Sequence, residues 1–245
     1  MDDHRSIPYF ESNLAALSTI GLWLTGVGVY AILITRFSAL HTIPVVASVA
    51  CAVANGLSYH AFWTSSFGVN KAVASGFADV FWPTQEISLS FYSYQILSCT
   101  LTGRDRSAYR CGFWVCLLAL VAVRVAILVL RTVEILHEPD FKSLIGFLHV
   151  GYFALLAVLE TCSSWLLIRF FLNAHGMAPA GSRTLYLFKF LLRSTELRVS
   201  ALSVIGITRA TAYPFQIAEH LVVNIPNQID RFAYTLECLF PVILM

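Results

Sequence analysis

Between Glu11 and Arg36 the chain runs for 24 residues without an Asp, Glu, Lys or Arg, and between Arg36 and Lys71 for another 34. A helix rises about 1.5 Å per residue, so roughly 20 apolar residues cross the hydrocarbon core of a bilayer. In lipid every backbone amide must be paired internally, which restricts spanning segments to helices or closed barrels. Uncharged runs of this length predict helices.

Composition extends the argument to the whole chain. Of its 245 residues 58% are hydrophobic and 12% are charged, and the mean hydropathy is +0.72. Soluble domains carry roughly a quarter charged residues. Disorder would need low hydrophobicity and high net charge, but 16 basic and 14 acidic side chains leave only +2. The basic residues are scattered between apolar runs, so nucleic acid is not an expected partner. The six cysteines show no CxxC pair and mostly lie in apolar segments, where they read as small buried hydrophobes.

Seven spans fit: Leu14 to Thr35, Ile43 to Trp63, Trp82 to Leu101, Cys111 to Leu130, Leu144 to Ile168, Val199 to Ala218, and a last one from Asn227 or Arg231 to Met245. Pro83 is expected in the first turn of the third, where a missing N–H costs little. The fold class predicted is all-α, a seven-transmembrane helix bundle forming a single domain over 1–245. One face then carries Arg36, Arg104, Arg106, Arg110, Arg169, Arg183, Lys189, Arg193 and Arg198, the other Arg5, Lys71, Arg131, Lys142 and Arg231. The richer face should be cytosolic, which places the N-terminus outside or in a lumen and the C-terminus in the cytosol. The acidic opening MDDHRSIPYFE is unlike a cleavable leader, so the first span is expected to be a retained anchor.

Five ionisable residues remain inside the spans: Glu86, Arg124, Glu160, Arg209 and Glu237. An Arg or Asp at mid-helix costs roughly 2.5 to 3.5 kcal/mol on insertion scales, so each calls for a partner or a function. From the outer end of each span, Glu86 is about 6 Å deep, Glu237 about 9 Å, Arg124 about 10 Å, Arg209 about 15 Å and Glu160 about 24 Å. Helical spacing lengthens the set into stripes: Glu86, Ser90 and Ser93 beside Tyr92; His149, Tyr152, Leu156 and Glu160; and Arg209, Tyr213, Gln216 and His220. Turned inward, these stripes form a polar and aromatic pocket open to the outer side. The plainer alternative is that two arginines and two glutamates pair to fix helix register, leaving Glu160 as a neutral acid hydrogen-bonded to a neighbouring helix. Small residues four apart on the second span, Ala47, Ala50, Cys51 and Ala54, predict close helix packing. No ligand spacing points to a metal, and none to a cofactor.

The runs LSFYSYQIL at 89–97, FLLRSTELRVSALSVIGITRATAYPFQ at 190–216 and QIDRFAYTLECLFPV at 228–242 resemble a group of fungal multi-pass membrane proteins of unassigned chemistry. Size and span count are similar to small integral-membrane proteins of fungal secondary-metabolite pathways that make indole-diterpenes and meroterpenoids, some of them terpene cyclases and others accessory proteins. The resemblance implies an endomembrane location, most simply the endoplasmic reticulum. It also implies an isoprenoid-like lipophilic small molecule, membrane lipids and other membrane-bound pathway enzymes as partners. The Trp-Glu pair that membrane terpene cyclases carry in an early span has no counterpart here, so no catalytic residue is transferred. From the residues themselves, Glu86 is the candidate acid and Glu237 a second acid or base. Tyr92, Tyr94, Arg124, His149, Glu160, Arg209 and Tyr213 are the candidate pocket. A carboxylic acid kept neutral by burial can protonate an epoxide or alkene, and aromatic faces stabilise the cation that results. The competing expectations are a scaffold for pathway enzymes and a receptor or transport protein, the last by analogy of span number alone.

Overall fold

A computed structural model describes residues 9–35, 38–63, 69–137, 141–177, 200–212, 214–215 and 225–244. Among these residues there are seven helices and no strand. They are α1 (Tyr9–Thr35), α2 (Ala39–Trp63), α3 (Val69–Thr100), α4 (Gly103–His137), α5 (Lys142–Met177), α6 (200–212) and α7 (Ile225–Leu244). Four contain segments long and apolar enough to cross a membrane: Asn13–Thr35, Leu40–Ala61, Gly103–Glu134 and Ser143–Phe170.

The distribution of side chains inverts that of a soluble protein. Leu22, Trp23, Leu33, Leu118, Phe147 and Val204 are exposed, while Ser48, Asn55, Gln85, Glu86, Arg124, His149, Glu160, Arg209 and Glu237 are buried. Apolar surface on this scale would drive aggregation in water. In lipid it carries no penalty, and polar groups are the ones that must turn inward. Several hydroxyls on the helices are satisfied by their own backbone: Thr25 donates to the Gly21 carbonyl, Ser48 to that of Pro44 and Thr208 to that of Val204.

Close packing between α1 and α2 follows from small residues. Ala47, Cys51 and Ala54 are buried on α2, with Ser48, Ala52 and Asn55 beside them. Gly21 of α1 is pressed so near that a Cβ there would stand 2.9 Å from the Ala52 amide nitrogen and 3.0 Å from the Ser48 carbonyl oxygen. Ser18 reinforces the contact by donating to the Ala52 carbonyl at 2.8 Å.

α3 departs from expectation. It begins at Val69, so Pro83 lies inside the helix and Glu86 is near its middle rather than in its first turn. A favourable N-terminal dipole therefore does not account for that carboxylate. Asp79, ahead of the expected span, is buried and receives the Arg131 guanidinium of α4 at 2.5 Å. Pro83 is buried as well, and its missing amide is tolerated where neighbouring helices cover the backbone. α4 and α5 also extend beyond the expected spans by more than a turn. The exposed Arg104, Arg106 and Arg110, expected in a connection, are helical.

Far along the helices from the Asp79–Arg131 pair, α3, α4 and α5 close around an aromatic cluster. Tyr94 stacks on Phe113 with centroids 4.4 Å apart, Phe91 meets Phe113 edge-on at 5.3 Å, and the Tyr109 hydroxyl lies 3.0 Å from Ser163 Oγ.

Candidate functional site: an ionised core beside an aromatic-walled pocket

Glu86, fully covered at the middle of α3, is held by three other helices. Arg124 of α4 donates from Nη2 to Oε2 at 2.8 Å, and Tyr152 of α5 donates its phenol to the same oxygen at 2.6 Å. Arg209 of α6 donates from Nη1 to Oε1 at 2.7 Å. The same nitrogen contacts Glu237 Oε2 of α7 at 2.5 Å, and Nε reaches Asp230 Oδ1 at 3.4 Å. Two guanidiniums and the carboxyl groups of Glu86 and Glu237 thus form one hydrogen-bonded set spanning α3, α4, α6 and α7, with Asp230 at its edge. Charge-assisted hydrogen bonds of this kind offset much of the penalty for removing ions from water.

Aromatic faces complete the arrangement. The Arg124 guanidinium carbon sits 3.8 Å from the Tyr152 ring centroid, and that of Arg209 sits 4.2 Å from Phe153. Each arginine is therefore hydrogen-bonded to a carboxylate and covered by a ring, an arrangement that suits a cation in a poorly hydrated interior.

A cavity of about 250 Å³ opens beside this core, lined by Leu14, Trp82, Glu86, Arg124, Arg131, His149, Phe153, Arg209, Asp230, Arg231 and Tyr234. α1, α5 and α7 contribute from their N-terminal halves, α4 and α6 from their C-terminal halves, and α3 from near its middle. Consecutive helices from α4 to α7 therefore alternate in direction. His149 is turned toward its own helix, with Nδ1 2.8 Å from the Ile145 carbonyl oxygen. One wall is fixed by a short relay: Trp82 Nε1 donates to the Tyr234 hydroxyl at 2.9 Å, and Tyr234 donates to Asn55 Oδ1 at 2.9 Å.

Of the residues singled out from sequence, Glu86, Arg124, His149 and Arg209 meet at the cavity. Glu237 stands one contact behind it, through Arg209. Glu160 is buried between α5 and α6, with Oε2 2.6 Å from where a Cβ at Gly206 would lie. Tyr92 packs with Leu89, Leu202 and Phe240, and Tyr94 belongs to the distant aromatic cluster, so neither lines the cavity. Tyr213 lies outside the described residues. Trp82, Phe153, Tyr234 and Asp230 were not singled out. Their signal was present only as aromatic or acidic residues at span ends, where interface residues are commonplace. Among the described residues no three His, Cys, Asp or Glu side chains converge as a metal site.

Fold and site together define a membrane protein of helical class with an ionised core. No protein-family model matches the chain, and neither a curated protein nor a solved structure matches it.

Proposed function

We propose that the chain is a seven-span membrane protein that holds the polar end of a lipophilic, isoprenoid-like molecule in the cavity beside Glu86 and acts on it by protonation. The observation that carries this reading is the pairing of Trp82, Phe153 and Tyr234 rings with acidic and guanidinium groups in one intramembrane cavity. At about 250 Å³ it is slightly smaller than the usual range for drug-sized ligands, a size suited to a head group whose tail remains among the helices or in lipid.

Roles follow from the hydrogen bonds. Glu86 accepts from two guanidiniums and a phenol, so in this geometry it positions the arginines and stabilises positive charge rather than giving up a proton. Asp230 also lines the cavity and meets Arg209 only at 3.4 Å, so it is the carboxyl group freest to take up a proton and pass it to a ligand. Aromatic faces would stabilise a cation formed by opening an epoxide or protonating an alkene. The place in a fungal terpenoid pathway rests on the sequence resemblance alone.

Membranes containing the protein should convert a polyprenyl epoxide to a cyclised product, and Asp230→Asn should lose turnover at unchanged expression. Absence of turnover with wild-type protein, or full turnover in Asp230→Asn, contradicts the reading. A second reading is favoured by one observation: Arg124, Arg209, Glu86 and Glu237 each meet a counter-charge within the bundle. On that reading the charges fix the bundle, and the protein is an accessory scaffold for membrane-bound enzymes. Stable enzyme partners recovered from fungal membranes, together with no turnover, would select it.

We also infer, on the distribution of basic residues, that the N-terminus faces outward or into the lumen and the C-terminus the cytosol, and, on the sequence resemblance, that the protein resides in the endoplasmic reticulum or another endomembrane. A glycosylation sequon placed ahead of α1 should be modified in microsomes. An unmodified sequon there, with modification of one added after α7, reverses the orientation.

A further inference from the structure

The two fully buried cysteines, Cys51 of α2 and Cys238 of α7, lie together in the bundle, whereas Cys99, Cys111 and Cys162 are exposed. Asn55 Nδ2 stands 3.4 Å from Cys51 Sγ and 3.8 Å from Cys238 Sγ, so one amide nitrogen has both sulfurs beside it. The orientation of the Asn55 amide is fixed from both sides. Its nitrogen donates to the Cys51 carbonyl at 2.8 Å, and its oxygen accepts from Tyr234. A second amide nitrogen, Gln85 Nε2, lies 3.5 Å from Cys238 Sγ. A thiol that shares one amide nitrogen with a second thiol has a resolving group close at hand.

We propose that Cys51 and Cys238 form an oxidative modification site at which hydrogen peroxide, small and uncharged, generates a disulfide joining α2 to α7. The Cys238 sulfur attacks one peroxide oxygen and the O–O bond breaks. The other oxygen leaves as hydroxide and takes up the thiol proton, giving a sulfenic acid and one water. The Cys51 sulfur then displaces hydroxide from the sulfenyl sulfur. The S–O bond breaks, the S–S bond forms, and the Cys51 proton leaves with hydroxide as a second water. The two thiols are oxidised by two electrons overall and the peroxide is reduced to water. Tyr234 connects this pair to the cavity through Asn55, but the modification does not depend on what the cavity holds.

The test uses the full chain in lipid nanodiscs, treated with hydrogen peroxide. Free thiols are blocked with iodoacetamide, and peptides are mapped before and after reduction. The expected result is joint loss of free thiol at positions 51 and 238, one cross-linked peptide pair lighter by two hydrogens, and recovery of both thiols on reduction. In Cys51→Ser, Cys238 should stop at a sulfenic acid trapped by dimedone. Free thiols persisting at both positions while Cys99 and Cys111 oxidise would overturn the proposal. So would a disulfide linking Cys238 to any other cysteine. The wild-type measurement stands alone if the variant fails to fold.

Discussion

Glu86 shows how one charge can organise a membrane interior. Its two oxygens take donors from α4, α5 and α6, and Arg209 carries the connection on to α7. Tyr152→Phe removes one donor to the carboxylate and no ring, so it should lower stability by about 2 kcal/mol, within the range for hydrogen bonds to charged groups. Unfolding in mixed detergent micelles measures it; a change near zero would show that the phenol contributes only packing. Sequence alone isolates Glu86, Arg124, Arg209 and Glu237, because ionisable residues stand out in apolar runs. It does not say which pairs form. Depths counted from assumed span ends place four groups near one level, yet Glu86 proves to be mid-helix once Asp79 is seen to be buried. The Trp82, Tyr234 and Asn55 relay was less visible. Only Asn55, an amide within a 34-residue uncharged run, gave a sign that a polar partner was needed.

Helix packing was legible where it depends on residue size. Small residues on α2 implied a close neighbour, and Gly21 of α1 is the point of nearest approach. Gly21→Ala must push α1 away from backbone atoms of α2 and should destabilise the protein. Gly26→Ala, on the same helix with nothing within 4 Å, should be neutral or stabilising by up to about 1 kcal/mol. Thermal stability of the two variants separates these effects, and equal shifts would argue against the packing described. Helix ends were harder to place. Charged residues read as boundaries only if they reach water, and the Asp79–Arg131 pair shows two that instead meet each other. Hydropathy likewise identifies four helices as candidate spans and passes over α3, whose polar residues are covered by its neighbours rather than by solvent.

At the scale of the molecule, low charge and long uncharged runs were enough to give an all-helical membrane bundle. What they could not give is the convergence of residues distant in sequence on one cavity, since that depends on how α3 to α7 are arranged around Glu86. The central claim is that the intramembrane charges act as one unit. A double-mutant cycle tests it most directly, with Glu86→Gln, Arg124→Met and the double variant compared for unfolding free energy in mixed micelles. Breaking a buried pair by removing one partner costs roughly 3 to 5 kcal/mol, so each single change should be severe. The double variant should be less damaged than the sum of the two, by about 1 to 3 kcal/mol. Additivity to within about 0.5 kcal/mol would mean that the two groups do not interact, and would contradict the account.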